Sequence, residues 1–389
     1  MSAIFQNYAR YPLSFVKGEG ARLTESDGRT FLDFGCGISV VNLGHCHPHV
    51  TKAIQKQAET LIHTSNLYHN PIQEQLADRL SRCGFGGDLF FCNSGAEANE
   101  AALKIARIYG NKKYEGKRNR VITLQNSFHG RTYMTLSATG QEKVKKGFEP
   151  TMDCFVHIKQ NDFGEFLSEV KKGDVAAVML ELIQGEGGLE LISRDFLVEV
   201  SEYCAKYDIL LILDEIQTGF GRTGDIFAYK HFGITPDIIT MAKGIANGIP
   251  MGAVMARHDV AEYLSAGTHG STFGGGYLAC AAAMAVLDVM TAKGFMQDVR
   301  EKGDYFIGKL NEIFYQTEVT VHGTALMSGI KVPGRQKEFI EKCMNNNLIV
   351  IPAGNDVIRI YPPLTVTYEE LDEGLALIKK SAAEMGIGE

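Results

Sequence analysis

Short apolar runs alternating with helix-period stretches constrain this chain more than anything else in it. VAAVML (175–180) and ILLIL (209–213) are apolar on both parities. A half-exposed strand alternates apolar with polar residues, whereas a strand apolar at every position needs cover on both faces, as central parallel strands do. Strands are read at 88–92, 121–124, 175–182, 209–213, 237–241 and 252–255. Between them the helical period returns. Ala98, Ala101, Ala102, Ile105 and Ile108 share one face over 96–109, and another helix covers 196–206. The alternation predicts an α/β fold with a mostly parallel sheet.

A long alanine-rich helix over 277–292 leaves this unit, and the last hundred residues read differently. They give a helix, short strands at 348–351 and 357–360, and a final helix after Thr367, which stands with Glu370 at capping-box spacing. We therefore expect a large α/β domain over residues 51–275, with 1–50 and 276–389 forming a smaller α+β domain. No internal repeat or low-complexity linker interrupts the 389 residues.

The net charge of −7 argues against a surface built to neutralise nucleic acid or an anionic membrane. Eight cysteines are scattered without a CxxC pair, which points to neither a disulfide framework nor a four-thiolate zinc site. No run reaches the ~18 apolar residues of a membrane span, and the N-terminal segment has no signal-like apolar stretch. The expectation is a soluble, reduced, cytoplasmic protein.

Three segments carry chemistry. In ILLILDEIQTGFGRTG (209–224) an apolar strand ends in Asp214. Ligands of open α/β sheets gather at such ends, where a carboxylate binds a cationic ring nitrogen, a metal or a ribose hydroxyl, or merely caps the turn. In MAKGIANGIPMGA (241–253) Lys243 follows another strand among small residues. Alone it reads as a surface lysine; paired with Asp214 it suits a Schiff-base nucleophile activated by desolvation. In FFCNSGAEANEAALKIAR (90–107) a strand runs through Ser94, Gly95 and Ala96 into a helix, with Glu97 at capping-box spacing from Ser94. The free amides and positive dipole end of that helix suit a phosphate. GSTFGGG (270–276) offers a second small, hydroxylated loop, and no GxxxxGK[ST] or GxGxxG motif is present. GHCHPH (44–49) invites a metal reading, but its spacing is tighter than a zinc knuckle and it leads into a helix over 50–62, so capping and packing roles are preferred.

The ordered series GHCHP, NSGAEANEAALKIAR, FHGRT, QGEGG, DEIQTGFGRTGD, AKG, GSTFGG and DVIRIYPPL resembles the class III (ω-amino) aminotransferases. Within them it is most similar to the acetylornithine aminotransferases of arginine biosynthesis. The matches run from about residue 10 to 380. The resemblance implies a fold-type I transferase dependent on pyridoxal 5′-phosphate (PLP), working as a homodimer with active sites at the subunit interface. It implies that Lys243 bonds the cofactor, Asp214 pairs with the pyridine nitrogen, and Gln217 touches the ring hydroxyl, with Glu215 and Ile216 beside them. Gly95 and Ala96 would hold the phosphate with Thr272 of the partner subunit, and Phe128 would stack on the ring. Arg131 would bind the substrate carboxylate near Ser271 of the partner subunit, while Glu186 and Arg359 would form a gate for two kinds of amine.

The implied reaction is ping-pong. The δ-amino group of N2-acetyl-L-ornithine passes to 2-oxoglutarate, giving N-acetyl-L-glutamate 5-semialdehyde and L-glutamate. Succinylornithine, ornithine, 4-aminobutyrate and N-succinyl-diaminopimelate remain alternative amines, and a PLP aminomutase is an alternative reaction on the same fold. A non-catalytic protein binding metal through GHCHPH is a third reading, which leaves Lys243, Asp214 and Arg131 without a joint explanation. The chain departs from the family pattern at Leu182, where proline is usual, and at His322 and Ala325. Asn66 and Tyr68 are candidate walls of the substrate pocket.

Overall fold

The computed structural model describes residues 3–388. Its centre is a seven-stranded sheet in the order Asp88–Cys92, Gly252–Ala256, Ile238–Met241, Leu210–Asp214, Val175–Glu181, Arg120–Leu124, Phe155–Ile158. Neighbouring strands are parallel except at Gly252–Ala256, which runs antiparallel to both of its neighbours. The two central strands that are apolar on both parities are buried at every position. Six strands fall within a residue or two of the positions read from the pattern. The seventh, Phe155–Ile158, has no such signature: it is an edge strand, mostly half-buried and interrupted by His157. Gly95–Lys113 packs across the sheet with its alanine-rich face inward.

Two four-stranded sheets accompany this one, besides the short pair Ile183–Gln184 and Glu190–Leu191. The first pairs Phe15–Glu19, Arg22–Glu25 and Thr30–Asp33 with Leu348–Ile349, so residues near the two ends of the chain share one ladder. The second joins Thr320–Thr324, Met327–Lys331, Val357–Ile360 and Ile351–Pro352 in antiparallel order. The single strand expected at 348–351 is therefore two strands serving different sheets. The alanine-rich helix Tyr277–Met290 packs on Pro48–Thr60, and Tyr368–Ala383 opens with the expected reciprocal capping box between Thr367 and Glu370. Among the described residues no single helix is long and apolar enough to cross a membrane.

The histidines of GHCHPH have separate tasks. His45 Nε2 lies 2.8 Å from Asp33 Oδ2, His49 Nε2 lies 3.0 Å from Asp288 Oδ2, and His47 precedes Pro48 at the start of its helix. They do not converge, and no metal-type cluster occurs among the described residues.

Arg222 ties together three segments that are distant in the sequence. Its fully buried guanidinium donates to Ser39 Oγ (3.1 Å), Asn42 Oδ1 (2.6 Å), Leu326 O (3.0 Å) and Pro362 O (2.6 Å). All four acceptors are neutral, and the Asp33 carboxylate and the Tyr361 ring, 5.5 Å from the guanidinium carbon, add to the compensation of the buried charge. Arg222→Met takes the donors from Leu326 O and Pro362 O, while Asn42 Oδ1 keeps the Ser39 hydroxyl, and is expected to cost about 3–5 kcal/mol. Arg222→Lys rescues little, because one ammonium cannot reach the same fork of acceptors. Urea unfolding midpoints of both variants check this, and a midpoint unchanged for Arg222→Met contradicts it.

Candidate active site

The carboxyl ends of the parallel strands open into one cavity of about 440 Å³. Five of those ends feed it. Asn93–Ala96 follow Asp88–Cys92, Phe128–Arg131 follow Arg120–Leu124, Glu181 ends its own strand, Asp214 ends Leu210–Asp214, and Lys243 follows Ile238–Met241. This is where an open α/β sheet builds its sites.

Asp214 is 5% exposed, and its carboxylate is tied on three sides. Oδ2 accepts from Asn99 Nδ2 and His129 Nδ1, both at 2.8 Å, while Oδ1 accepts from the Ile216 amide at 3.1 Å. Asn99 also donates to His129 O at 2.7 Å, which locks the two supports together. Neither was singled out in the sequence. The available signal was an asparagine on the inner face of an alanine-rich helix, and the histidine beside Phe128 in FHGRT.

Lys243 is half-buried and carries φ +47°, in the left-handed region that non-glycine residues seldom occupy. Such strain persists where the surroundings over-determine it. Burial lowers its pKa; the nearby Glu186 carboxylate opposes that shift and Arg359 reinforces it. The amine is thereby brought closer to the neutral form that acts as nucleophile and base.

Glu181 is a further acid the sequence reading passed over. It pairs in register with Asp214 on the neighbouring strand, and its Oε2 accepts from the Phe128 amide at 2.9 Å. Burial, then repulsion from Asp214, raises its pKa well above the usual carboxylate range. Glu181 therefore favours its acid form beside the Asp214 carboxyl group. Glu181 also fixes the segment bearing Phe128, whose ring centroid lies 5.5 Å from the Arg131 guanidinium carbon.

At the start of Gly95–Lys113, Ser94 Oγ accepts from the Glu97 amide at 3.2 Å. The expected capping box is only half formed, because the Glu97 carboxylate accepts from the Asn93 amide at 2.8 Å instead of closing on Ser94 N. The amides of Gly95 and Ala96 donate to nothing within the described chain and face the cavity. A Cβ at position 95 would lie 2.9 Å from Ile216, so only glycine leaves this turn undisturbed.

Three expected residues are elsewhere. Glu215 points away from the cavity: its carboxylate accepts from Thr218 Oγ1 (2.5 Å) and the Tyr229 amide (2.8 Å). Burial raises its pKa to about 7. The strand ends at Asp214, and these two hydrogen bonds turn the Glu215 side chain away from its neighbour's site. Ser271 and Thr272 lie outside the wall of this chain's own cavity. Thr272 is exposed, while Ser271 Oγ accepts from Asn93 Nδ2 at 3.2 Å and from the Gly274 amide at 3.0 Å. Asn66 does not line the cavity but pins this loop through Ser271 O and Gly274 O, and Tyr68 is exposed.

Glu186 and Arg359, 173 positions apart, meet: Nη1 lies 2.6 Å from Oε1, and Arg359 Nη2 donates to Pro352 O at 2.5 Å. The Arg359 side chain is 3% exposed and that of Glu186 33%, so the carboxylate is the more accessible partner.

A family model described as aminotransferase class-III matches residues 4–381. The chain belongs to this family. The acetylornithine aminotransferase of Bacillus cereus is 48% identical over 381 residues, with 97% of each chain covered. Among solved structures, the Toxoplasma gondii ornithine aminotransferase superposes with a TM-score of 0.94 at 34% identity, covering 100% of this chain and 94% of that one. The N-acetylornithine aminotransferase of Stenotrophomonas maltophilia gives 0.85 at 34% identity, with 97% of each chain covered. The fold is that of the PLP-dependent aminotransferases, and the enzyme depends on PLP.

The residues present fit that cofactor. Two unused amides at a helix N-terminus suit its phosphate, a tied carboxylate suits a protonated ring nitrogen, and an aromatic ring and a desolvated lysine complete the set. When bound, PLP supplies an aldehyde that takes up amines and a ring that accepts the electron pair freed at the amine-bearing carbon. Asp214→Ala would leave the ring nitrogen without its anion and is expected to lower kcat by about 10²–10³-fold. Steady-state assay of the PLP-saturated variant checks this, and a loss under fivefold contradicts it.

Proposed function

We propose that this enzyme transfers the δ-amino group of N2-acetyl-L-ornithine to 2-oxoglutarate, as the cytoplasmic acetylornithine aminotransferase of arginine biosynthesis, and works as a homodimer. The observation that carries the reading is the closed Glu186–Arg359 pair beside Lys243. A transaminase must accept two amines that differ at the reacting carbon. N-acetylornithine has no carboxylate there, and glutamate has one.

With N-acetylornithine bound, Glu186 neutralises Arg359, which would otherwise stand unpaired in a desolvated wall. When glutamate or 2-oxoglutarate enters, Glu186 withdraws through its exposed side and Arg359 takes the α-carboxylate. Arg131, at the open mouth of the cavity, takes the far carboxylate in both halves with its fork of donors. Lys243 Nζ would take and hold the proton from the amine-bearing carbon. Among the residues lining the cavity, Phe128 would cover one ring face and Gln217 would donate to the ring hydroxyl, with Ile216 nearby. The Gly95 and Ala96 amides, with Thr272 of the partner subunit, would hold the phosphate, and Ser271 of the partner subunit would lie toward the substrate. The 48% identity to a protein named acetylornithine aminotransferase supports the choice of amine.

Steady-state kinetics test it. N-acetylornithine should give the highest kcat/KM among N-acetylornithine, N-succinylornithine, ornithine and 4-aminobutyrate, with parallel double-reciprocal plots against 2-oxoglutarate. Turnover independent of any 2-oxo acid would overturn the transaminase reading, and a tenfold preference for another amine would overturn the substrate.

A further inference from the structure

Gln217 is held more firmly than a residue that merely lines a cavity. Its side chain is buried, and Oε1 lies 2.9 Å from the Tyr361 hydroxyl. On its other side the amide lies against Gly185, where an added Cβ would sit 1.8 Å from Oε1 and 2.9 Å from Nε2. The amide is therefore clamped between a glycine backbone and a phenol.

The direction of the Tyr361 hydrogen bond follows from its surroundings. Tyr361 is fully buried directly after the Val357–Ile360 strand, and burial raises its pKa, so the phenol stays protonated and has one hydrogen to give. The Arg222 guanidinium carbon lies 5.5 Å from its ring centroid, and the Arg359 charge is also close enough to act on it. A guanidinium only donates, so the Arg359 side chain, which hydrogen-bonds the phenol, takes its oxygen as acceptor and leaves its hydrogen for Gln217. Gln217 must then present Oε1 to Tyr361, which leaves the two N–H bonds of Nε2 for the cavity. Nε2 donates to no group of the described chain.

We propose that Tyr361 is a positioning residue for the cofactor: its hydroxyl fixes the Gln217 amide so that donors, and not the carbonyl oxygen, meet the ring hydroxyl. This rests on the reading that Gln217 touches that hydroxyl. The ring oxygen is an acidic phenol that carries negative charge in the bound cofactor. Nε2 stabilises that charge, whereas a flipped amide would aim a second negative dipole at it. Without the Tyr361 hydroxyl the amide loses the partner that tells its two ends apart.

The test is a double-mutant cycle on the holoenzyme, with Tyr361→Phe, Gln217→Ala and the double variant. PLP affinity is read from the loss of the visible band on dilution, and the position of that band is recorded for each. Tyr361→Phe should weaken PLP binding roughly three- to tenfold and displace the band maximum in the same direction as Gln217→Ala. The double variant should match Gln217→Ala alone, with unchanged circular dichroism throughout. Additive losses would overturn the proposal, since Tyr361 would then act independently of Gln217, and so would an unaltered band and affinity in Tyr361→Phe. If Gln217→Ala changes neither quantity, the reading of Gln217 itself fails and the inference falls with it.

Discussion

Replacing Lys243 with alanine is expected to abolish amine transfer, lowering the rate at least about 10⁴-fold, because the proposed reaction makes the residue both nucleophile and proton carrier. Two features concentrate these roles on this side chain. Burial holds its pKa down, and its backbone is fixed at φ +47°, aiming Nζ from the strand end into the cavity. Alanine meets the same backbone strain as lysine, so the variant should fold and still hold PLP through Gly95, Ala96 and Asp214. Lys243→Arg should be as inactive, since a guanidinium stays charged and cannot serve as base at neutral pH. Single-turnover mixing of PLP-loaded variants with N-acetylornithine measures this. Either variant retaining a tenth of the wild-type rate would contradict the assignment.

Glu186→Ala should split the two half-reactions. Removing one member of a buried ion pair leaves the other charge uncompensated, and Arg359, with its side chain 3% exposed, has little access to water. The N-acetylornithine half-reaction should slow on the order of 10²-fold, corresponding to about 2–3 kcal/mol. The glutamate half-reaction supplies its own carboxylate to Arg359 and no longer has to displace Glu186, so its rate should hold or rise and its KM fall. Stopped-flow traces with each amine in the absence of a 2-oxo acid separate these effects. Equal losses in both halves would make Glu186 a structural residue and not a gate.

Much of this was legible in the sequence, and the rest was hidden for identifiable reasons. The central strands are legible because burial on both faces demands apolar residues at every position, as in VAAVML and ILLIL. The edge strand Phe155–Ile158 escapes because that demand lapses at an edge. Asp214 and Lys243 stand out because each ends an apolar run. Asn99, His129, Glu181 and Tyr361 work through partners brought near only by folding; Tyr361 meets Gln217 across 144 positions. Glu215 reads as a site residue by its neighbours in the motif, but the folded chain brings Thr218 and the Tyr229 amide to its carboxylate and turns it away from Asp214. Thr272 and Ser271, read as contributions to a partner subunit's site, do not line this chain's own cavity.

The most direct test of the account is a half-reaction on the purified, PLP-loaded enzyme. Each amine is added without a 2-oxo acid, and the visible band is followed. The account predicts that N-acetylornithine bleaches the band faster than ornithine, 4-aminobutyrate or N-succinylornithine, and that 2-oxoglutarate then restores it. A band that none of the four amines bleaches, or one that 2-oxoglutarate fails to restore, would contradict it.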